Sequence, residues 1–194
     1  KNHFGLLHML GLQGLAEDVT AFVLVDIWMY WWHRINHAVP FLWRFHRMHH
    51  SDPAMDVTTA TRFHVGEIIL SSVIKLALIP LLGIPIGVLI LFDFVQLPII
   101  SFHHANIHVH PAFDNILAFF IVTPFMHKVH HSRIKSETDS NFSSLLSIWD
   151  RVFGSFVHKD NCAEIKFGLD GFDDDEMQSV KGLLITPLRN SGSS

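Results

Sequence analysis

Ten histidines stand at spacings that could hold metal. HRINH puts His33 and His37 at i and i+4, and HRMHH puts His46, His49 and His50 at i, i+3 and i+4. On a helix these offsets stack imidazoles on one face, a turn apart. Neutral imidazole is the commonest protein ligand for first-row transition ions. The pattern then returns: HHANIH places His104 and His108 at i and i+4, and HKVHH places His127, His130 and His131 at i, i+3 and i+4. In chain order these are two matched sets of five. Five imidazoles on each of two six-coordinate ions would leave about one open or bridging position per ion, the condition for oxygen chemistry. The clusters contain no carboxylate, which argues against a ferritin-like site built from Glu and Glu-x-x-His. An all-nitrogen shell also calls for water, oxide or a nearby carboxylate to balance its charge.

Composition bounds the setting. The 194 residues amount to one domain's worth of chain, 49% hydrophobic and only 16% charged, with a mean hydropathy of +0.31, so the membrane is the first suspect. A formal charge of -4 without a basic stripe gives no reason to expect a nucleic-acid partner. The single Cys162 excludes an internal disulfide and CxxC-type zinc, iron-sulfur or redox motifs. The histidines are spread in spaced clusters, so they are not an affinity tag.

The predicted fold is all-α: an integral-membrane helical bundle, one span plus a transmembrane helical hairpin, under a cytosolic histidine-rich helical cap. Residues 1–18 read as an interfacial segment or the remnant of a membrane helix, 19–157 as the membrane metal domain, and 158–194 as a polar, acidic tail. The chain begins at Lys1 without a signal-peptide pattern, so the expectation is a fragment or trimmed sequence lacking N-terminal membrane helices. Val19 to Trp32 is almost continuously apolar, and with the turn carrying His33 and His37 it reaches the roughly 20 residues a span needs. Trp28, Tyr30, Trp31 and Trp32 crowd its end as an aromatic belt would.

Pro40 ends that span, Phe41 to His50 forms a short amphipathic helix, and Ser51-Asp52-Pro53 breaks it. Phe63 to Phe102 is a long apolar tract interrupted around Leu82 to Pro85, which predicts the hairpin. Lys and Arg gather at the histidine-bearing ends while the 82–87 turn has none, which puts the histidines on the cytoplasmic side. A hairpin going out and back returns the chain to that side, so both sets meet on one face. Ile116 to Val122 is too short to cross and belongs at the interface. Residues 136–144 read as a polar loop, and the acidic stretch Asp173 to Glu176 as part of a solvated helix followed by disorder.

Other residues have two readings each. Asp26 lies seven residues before His33 and Asp93 eleven before His104, close to whole helical turns, and ionisable groups within apolar spans are functional candidates. They either line a cavity beside the metals or make polar helix contacts. Tyr30, on the stripe of Asp26, either lines a substrate path or belongs to the interfacial belt. His103 adjoins His104 but points about 100° away on a helix; it and Asn106 are candidates for contact with the ligands rather than ligation. His3, His8, His64, His110 and His158 read as ordinary satisfied polar groups. Arg44, Arg47, Lys128 and Arg133 read as lipid headgroup anchors or as a docking face for an acidic electron donor.

Taken in order, HRINH, HRMHH, HHANIH and HKVHH, followed by TDSNFSSLLSIWDRVFGSF over Thr138 to Phe156, resemble the fatty acid hydroxylase/sterol desaturase superfamily of integral-membrane non-haem di-iron oxygenases. The resemblance covers roughly Val19 to Phe156; any one motif is weak and the combination is highly specific. It implies two iron ions, for which zinc can substitute in purified protein, with O2 as co-substrate and electrons from a cytochrome b5-like or ferredoxin-like donor. The implied reaction hydroxylates or desaturates a lipid (fatty acyl, sterol or related) in the endoplasmic reticulum or a bacterial inner membrane. Carried over by position, the ligands would be His33, His37, His46, His49, His50, His104, His108, His127, His130 and His131. Asn141 and Trp149-Asp150-Arg151 would support the site, and the span and hairpin would form an apolar slot for the substrate chain. A departure is the absence here of the helices that superfamily members generally carry ahead of the first histidine box. The rival reading is a non-catalytic membrane metal-binding or metal-transport protein, although a transporter distributes its ligands through the membrane depth.

Overall fold

The computed structural model describes residues 4–159 and 161–189. All regular elements among them are helical, with one isolated antiparallel bridge between Ile121 and Leu146. A single turn, α1 (Leu6–Met9), leads into the long α2 (Leu15–Ala38), whose first turn carries Glu17 and Asp18 where the helix dipole favours them. Val39 is extended and Pro40 opens α3 (Pro40–His50) at the position where its missing N–H is harmless. The break predicted at Pro40 therefore separates two consecutive histidine-bearing helices.

Next come α4 (Val65–Leu82) and α5 (Ile86–His104), joined through Gly83. Gly83 has a left-handed φ of 77° and returns its N–H to the carbonyls of Ile79 and Pro80, a helix cap that glycine takes without strain. A Cβ there would also press on the Phe4 carbonyl oxygen at 3.1 Å. Both helices are long and apolar enough to cross a membrane, and only 6% of the α4 stretch and 28% of the α5 stretch is buried inside the chain. The core helix of a water-soluble domain would be mostly covered; these two leave large apolar side chains such as Leu76, Ile90 and Phe94 facing outward.

α2 departs from expectation. Among the described residues two helices, rather than three, are apolar enough to cross a membrane. α2 is long enough, but its tryptophans, histidines, Asp26 and Arg34 lower its hydropathy. It packs along α5, with Ala21 and Val25 against Val88, Leu89 and Phe92, and Phe22 meeting Phe92 edge-on at 5.1 Å.

The second half is built from short helices: α6 (Pro111–Leu117), α7 (Pro124–His130), α8 (Lys135–Thr138), α9 (Ile148–Val152), α10 (Asp175–Gln178) and α11 (Val180–Ile185). Thr123 caps α7, its Oγ1 accepting from the Met126 N–H and donating to Asp114. The stretch expected to be a solvated tail is a packed cover: Phe172, Met177 and Thr186 are buried. Its end beyond Arg189 lies outside the described residues.

The arginines expected to anchor headgroups or a donor hold this cover down. Arg47 is buried, donates to the carbonyls of Thr186 and Arg189, and lies over the Phe172 ring at 4.5 Å. Burial, then nearby Arg44, lowers its pKa to about 10, so it remains a cation at neutral pH. Arg133 pairs with Asp170 and Asp173. Of the acidic run over Asp173 to Glu176, Asp173 thus neutralises a cation of the histidine cap, while Asp174, Asp175 and Glu176 are exposed.

Candidate metal centre

Nine imidazoles converge in two adjoining groups. One holds His33 and His37 from α2, His46 and His50 from α3, and His130 from α7; the other holds His49, His104, His127 and His131. Within each group, one nitrogen from every ring lies within 4.8 Å of all the others. The grouping crosses the chain-order sets: His130 joins the first boxes and His49 the last ones. Successive residues on a helix point about 100° apart, so His49 and His50 must face different neighbours. The groups touch, with the His50 and His131 rings stacked at 4.5 Å.

The outer ring nitrogens reveal how the first group is poised. His33 Nδ1 donates to the Phe142 carbonyl at 2.8 Å and His130 Nδ1 to the Ser140 carbonyl at 2.6 Å. His46 Nδ1 bonds Glu67 Oε1 at 2.8 Å, and His37 Nδ1 bonds Asp139 Oδ1 at 3.2 Å. An N–H committed outward leaves the Nε2 lone pair inward, the arrangement that orients metal-bound histidines. All four Nε2 atoms are shut off from solvent and make no hydrogen bond among the described residues. In the second group, Nε2 of His104 lies 3.3 Å from that of His49 and 3.0 Å from that of His127, while His104 Nδ1 donates to the Ile100 carbonyl. With its proton committed to Ile100, His104 faces its neighbours with a lone pair. Buried, mutually facing acceptors are costly without a shared cation, so the donor set fits a pair of transition-metal ions.

Of the polar loop expected over 136–144, the residues to Thr138 finish α8 and Ser140 to Ser143 are buried, and this buried part is the template for those outer bonds. Asn141 has φ 51° and is fully enclosed; its Nδ2 donates to the Met126 and Val157 carbonyls and its Oδ1 accepts from the Val157 N–H. This turn presents the carbonyls on either side of it, Ser140 and Phe142, to His130 and His33. Asp150 holds the same turn, accepting from the N–H groups of Phe142 and Ser143 and from Ser155 Oγ. Burial raises the Asp150 pKa, and these hydrogen bonds oppose the rise.

Several candidates land elsewhere. His108 was expected to share a helix face with His104, but α5 ends at His104 and Ala105 is extended, so four residues no longer make a turn. His108 is exposed and stands outside both groups, and Asn106 is exposed on the same stretch. His103 is buried with its ring 4.1 Å from that of His127, although it belongs to neither group. Tyr30 is neither a belt residue nor a path lining: it is fully buried, bonded to Ser155 Oγ at 2.7 Å and to Arg34 Nη1 at 2.8 Å. Asp26 makes polar contacts between elements, accepting from Trp149 Nε1 at 2.7 Å and the Leu146 N–H. Asp93 is exposed and pairs with Lys75 of α4 at 3.2 Å, away from the histidines.

Glu67 and Asp139 supply the carboxylates that an all-histidine shell calls for. Glu67, buried in the first turn of an apolar helix, carried a signal in its placement, because ionisable groups are rarely spent there without purpose. We expect Glu67→Gln to lower metal affinity by about 10–100-fold, the usual effect of losing such an outer partner. Competition with a chromophoric chelator measures it, and unchanged affinity would remove Glu67 from the site.

The metal-free protein should be acid-sensitive. Burial, reinforced by neighbouring imidazoles, pushes the pKa of His49, His50, His127 and His131 well below 6.5. His130 falls to about 3 through burial, with the Ser140 hydrogen bond opposing. Between the folded and unfolded values the unfolded chain binds more protons, so stability falls as pH drops below about 6.5, by up to about 1.4 kcal/mol per pH unit per histidine. The thermal midpoint of chelator-treated protein in detergent should be clearly lower at pH 5.5 than at 7.5; equal midpoints would contradict neutral, buried imidazoles.

A family model described as Fatty acid hydroxylase matches residues 19–155. The chain is 31% identical over 157 residues to the ornithine lipid hydroxylase OlsE of Rhizobium tropici, covering 80% of this chain and 46% of that protein. It is 34% identical over 139 residues to the alkylglycerol monooxygenase of Homo sapiens, covering 71% and 30%. With the human cholesterol 25-hydroxylase it shares 25% identity over 149 residues, covering 73% and 51%. The chain thus spans about half or less of the length of these relatives. No solved structure matches it.

Proposed function

We infer the function from one premise: the chain belongs to the fatty acid hydroxylase family. It carries the histidine boxes of a membrane oxidoreductase of that family, and we propose that it oxidises an unactivated C–H bond of a membrane lipid with O2. The observation that carries this reading is the pair of adjoining histidine groups with their outer nitrogens tied down. We propose His33, His37, His46, His50 and His130 as ligands of one iron ion and His49, His104, His127 and His131 as ligands of the other. Bound there, two irons would supply reductive O2 activation, with two electrons from a cytochrome b5-type or ferredoxin-type donor.

The chain's own residues do the rest. The carbonyls of Ser140 and Phe142 and the carboxylates of Glu67 and Asp139 hold the rings in one tautomer. Phe63 stacks flat on His49, with ring centres 4.8 Å apart, and keeps water from that side. The apolar faces of α4 and α5 lie in the membrane and bring the lipid to the end of α5 that carries His104. The relatives' names concern an ornithine lipid, alkylglycerols and cholesterol; their common denominator, an amphiphile with a long apolar part, is the substrate class proposed here.

The test is protein from iron-replete cells, supplied with reductant and mixed membrane lipids under 18O2. About two coupled irons per chain by Mössbauer spectroscopy, and a lipid carrying one 18O, are expected of a hydroxylase. An unlabelled product lighter by two hydrogens would mark a desaturase. Zinc that resists replacement by iron, with no oxidised lipid, would overturn the enzyme reading in favour of a metal-handling or structural protein.

A further inference from the structure

Behind α6 lies a cavity of about 360 Å³, within the range of small-ligand pockets. α7 separates it from the metal centre: Met126 and Val129 line the cavity, while His127 and His130 belong to the histidine groups. Its lining is mixed: Asp114 lies on it with its carboxylate accepting from Thr123 Oγ1 and the Phe125 N–H, and the cation Arg151 stands among aromatic rings. The Arg151 guanidinium sits 4.1 Å from the Phe156 ring centre and 5.2 Å from that of Phe119. Among the described residues its hydrogen bonds are two 3.3 Å contacts from Nη1 to Ser147, and no carboxylate pairs with it. Lys159 on the same cavity is already paired with Glu137 at 2.7 Å. A guanidinium that feels the charge of the neighbouring Asp150 but hydrogen-bonds no carboxylate, and is flanked by aromatic faces, keeps N–H groups for an anion, which its planar fork can bind in pairs.

The cavity is continuous with an apolar surface. Phe119 lines it and is itself 68% exposed, beside exposed Phe113, Ile116 and Phe120. Such a patch on the outside of a domain marks an interaction surface, here one that suits the acyl boundary of a bilayer. Size limits the occupant. With about 360 Å³, at the low end for small-ligand pockets, the cavity suits a head group while the chains lie outside it.

We propose that this cavity binds the anionic head group of a single membrane amphiphile, with the anion on Arg151 and the chains leaving past Phe119 across the patch. The site is separate from the metal centre and does not rest on the proposed reaction.

The test titrates delipidated, metal-loaded protein in neutral detergent with a short-chain phosphatidylglycerol, with inorganic phosphate, and with the matching uncharged diacylglycerol. Saturable binding of one phosphatidylglycerol per chain is expected, at least tenfold tighter than either fragment. Arg151→Ala should weaken it tenfold or more and Arg151→Lys less. Phe119→Ala should weaken the lipid without altering phosphate. Metal content and thermal midpoint report folding; should Arg151→Ala fail to fold, Phe119→Ala, at an exposed position, carries the comparison. Equal lipid binding by wild type and the variants overturns the proposal, as does phosphate binding as tight as the lipid, which would leave an anion site without an amphiphile.

Discussion

His33→Ala/His49→Ala protein is expected to retain essentially no tightly bound metal, whereas His33→Ala/His130→Ala protein keeps about one ion per chain. The reasoning is the grouping in space. His33 and His130 share the five-histidine group and His49 belongs to the four-histidine group. Removing two ligands of one ion should hardly exceed the effect of removing one, while removing a ligand from each ion disables both; double variants separate the cases because shared sites are non-additive. Each single loss should exceed the about 10–100-fold typical of an outer partner. The chain-order sets give the opposite result, since His33 and His49 then share an ion. Metal per chain by plasma emission after gel filtration decides between them. One ion retained in His33→Ala/His49→Ala, with both lost from His33→Ala/His130→Ala, would restore the chain-order sets.

Asp150→Ala should be among the most destabilising single changes away from the ligands. Its carboxylate is fully buried and accepts from the Phe142 N–H at 2.7 Å, the Ser143 N–H at 3.0 Å and Ser155 Oγ at 2.7 Å. Ser155 retains Tyr30 as a partner, but two buried backbone donors lose theirs, at about 1–3 kcal/mol each. Set against a total stability of about 5–15 kcal/mol, that is a large share. For a chain of this length it corresponds to a fall in thermal midpoint on the order of 10 °C. The same turn carries the Ser140 and Phe142 carbonyls, so metal affinity should fall with stability. Asp150→Asn, which keeps one acceptor oxygen in the same place, should fall between the two. A midpoint within a degree or two of wild type for Asp150→Ala would mean that the turn is held by other contacts.

Much of the centre was legible in the residues. Histidines at i and i+4 are informative because a helix has one period: His33 with His37, and His46 with His50, meet as expected, whereas the i and i+3 pairs His46/His49 and His127/His130 are divided between the groups. The same logic failed at His108, where the helix had already ended. Two apolar helices joined at Gly83, and the all-helical class, follow from hydropathy and from the one residue that caps a helix in a left-handed conformation without strain. These are local properties, and local sequence determines them.

What tertiary structure decided is everything that depends on residues far apart in the chain. His130 reaches the first group because α7, packed against α5, brings its ring to 4.4 Å from that of His33 and 4.7 Å from that of His50, and no spacing within HKVHH encodes that. Glu67 meets His46 across 21 residues, and the Phe142 carbonyl meets His33 across 109. A backbone carbonyl has no residue type to recognise, so the stretch 136–144 read only as a polar loop although Ser140 to Ser143 are buried to serve the ligands. Tyr30 looked interfacial because aromatic residues prefer membrane boundaries, yet its hydroxyl found Ser155 and Arg34 in the interior. The arginines looked like anchors for the same local reason, and the cover over 165–189 claimed Arg47 and Arg133. The sequence by itself determined which groups could bind metal and along which helices they lie. Which imidazoles share an ion, and what holds each ring, was decided by packing, because a metal site is assembled across the fold while periodicity speaks only along it.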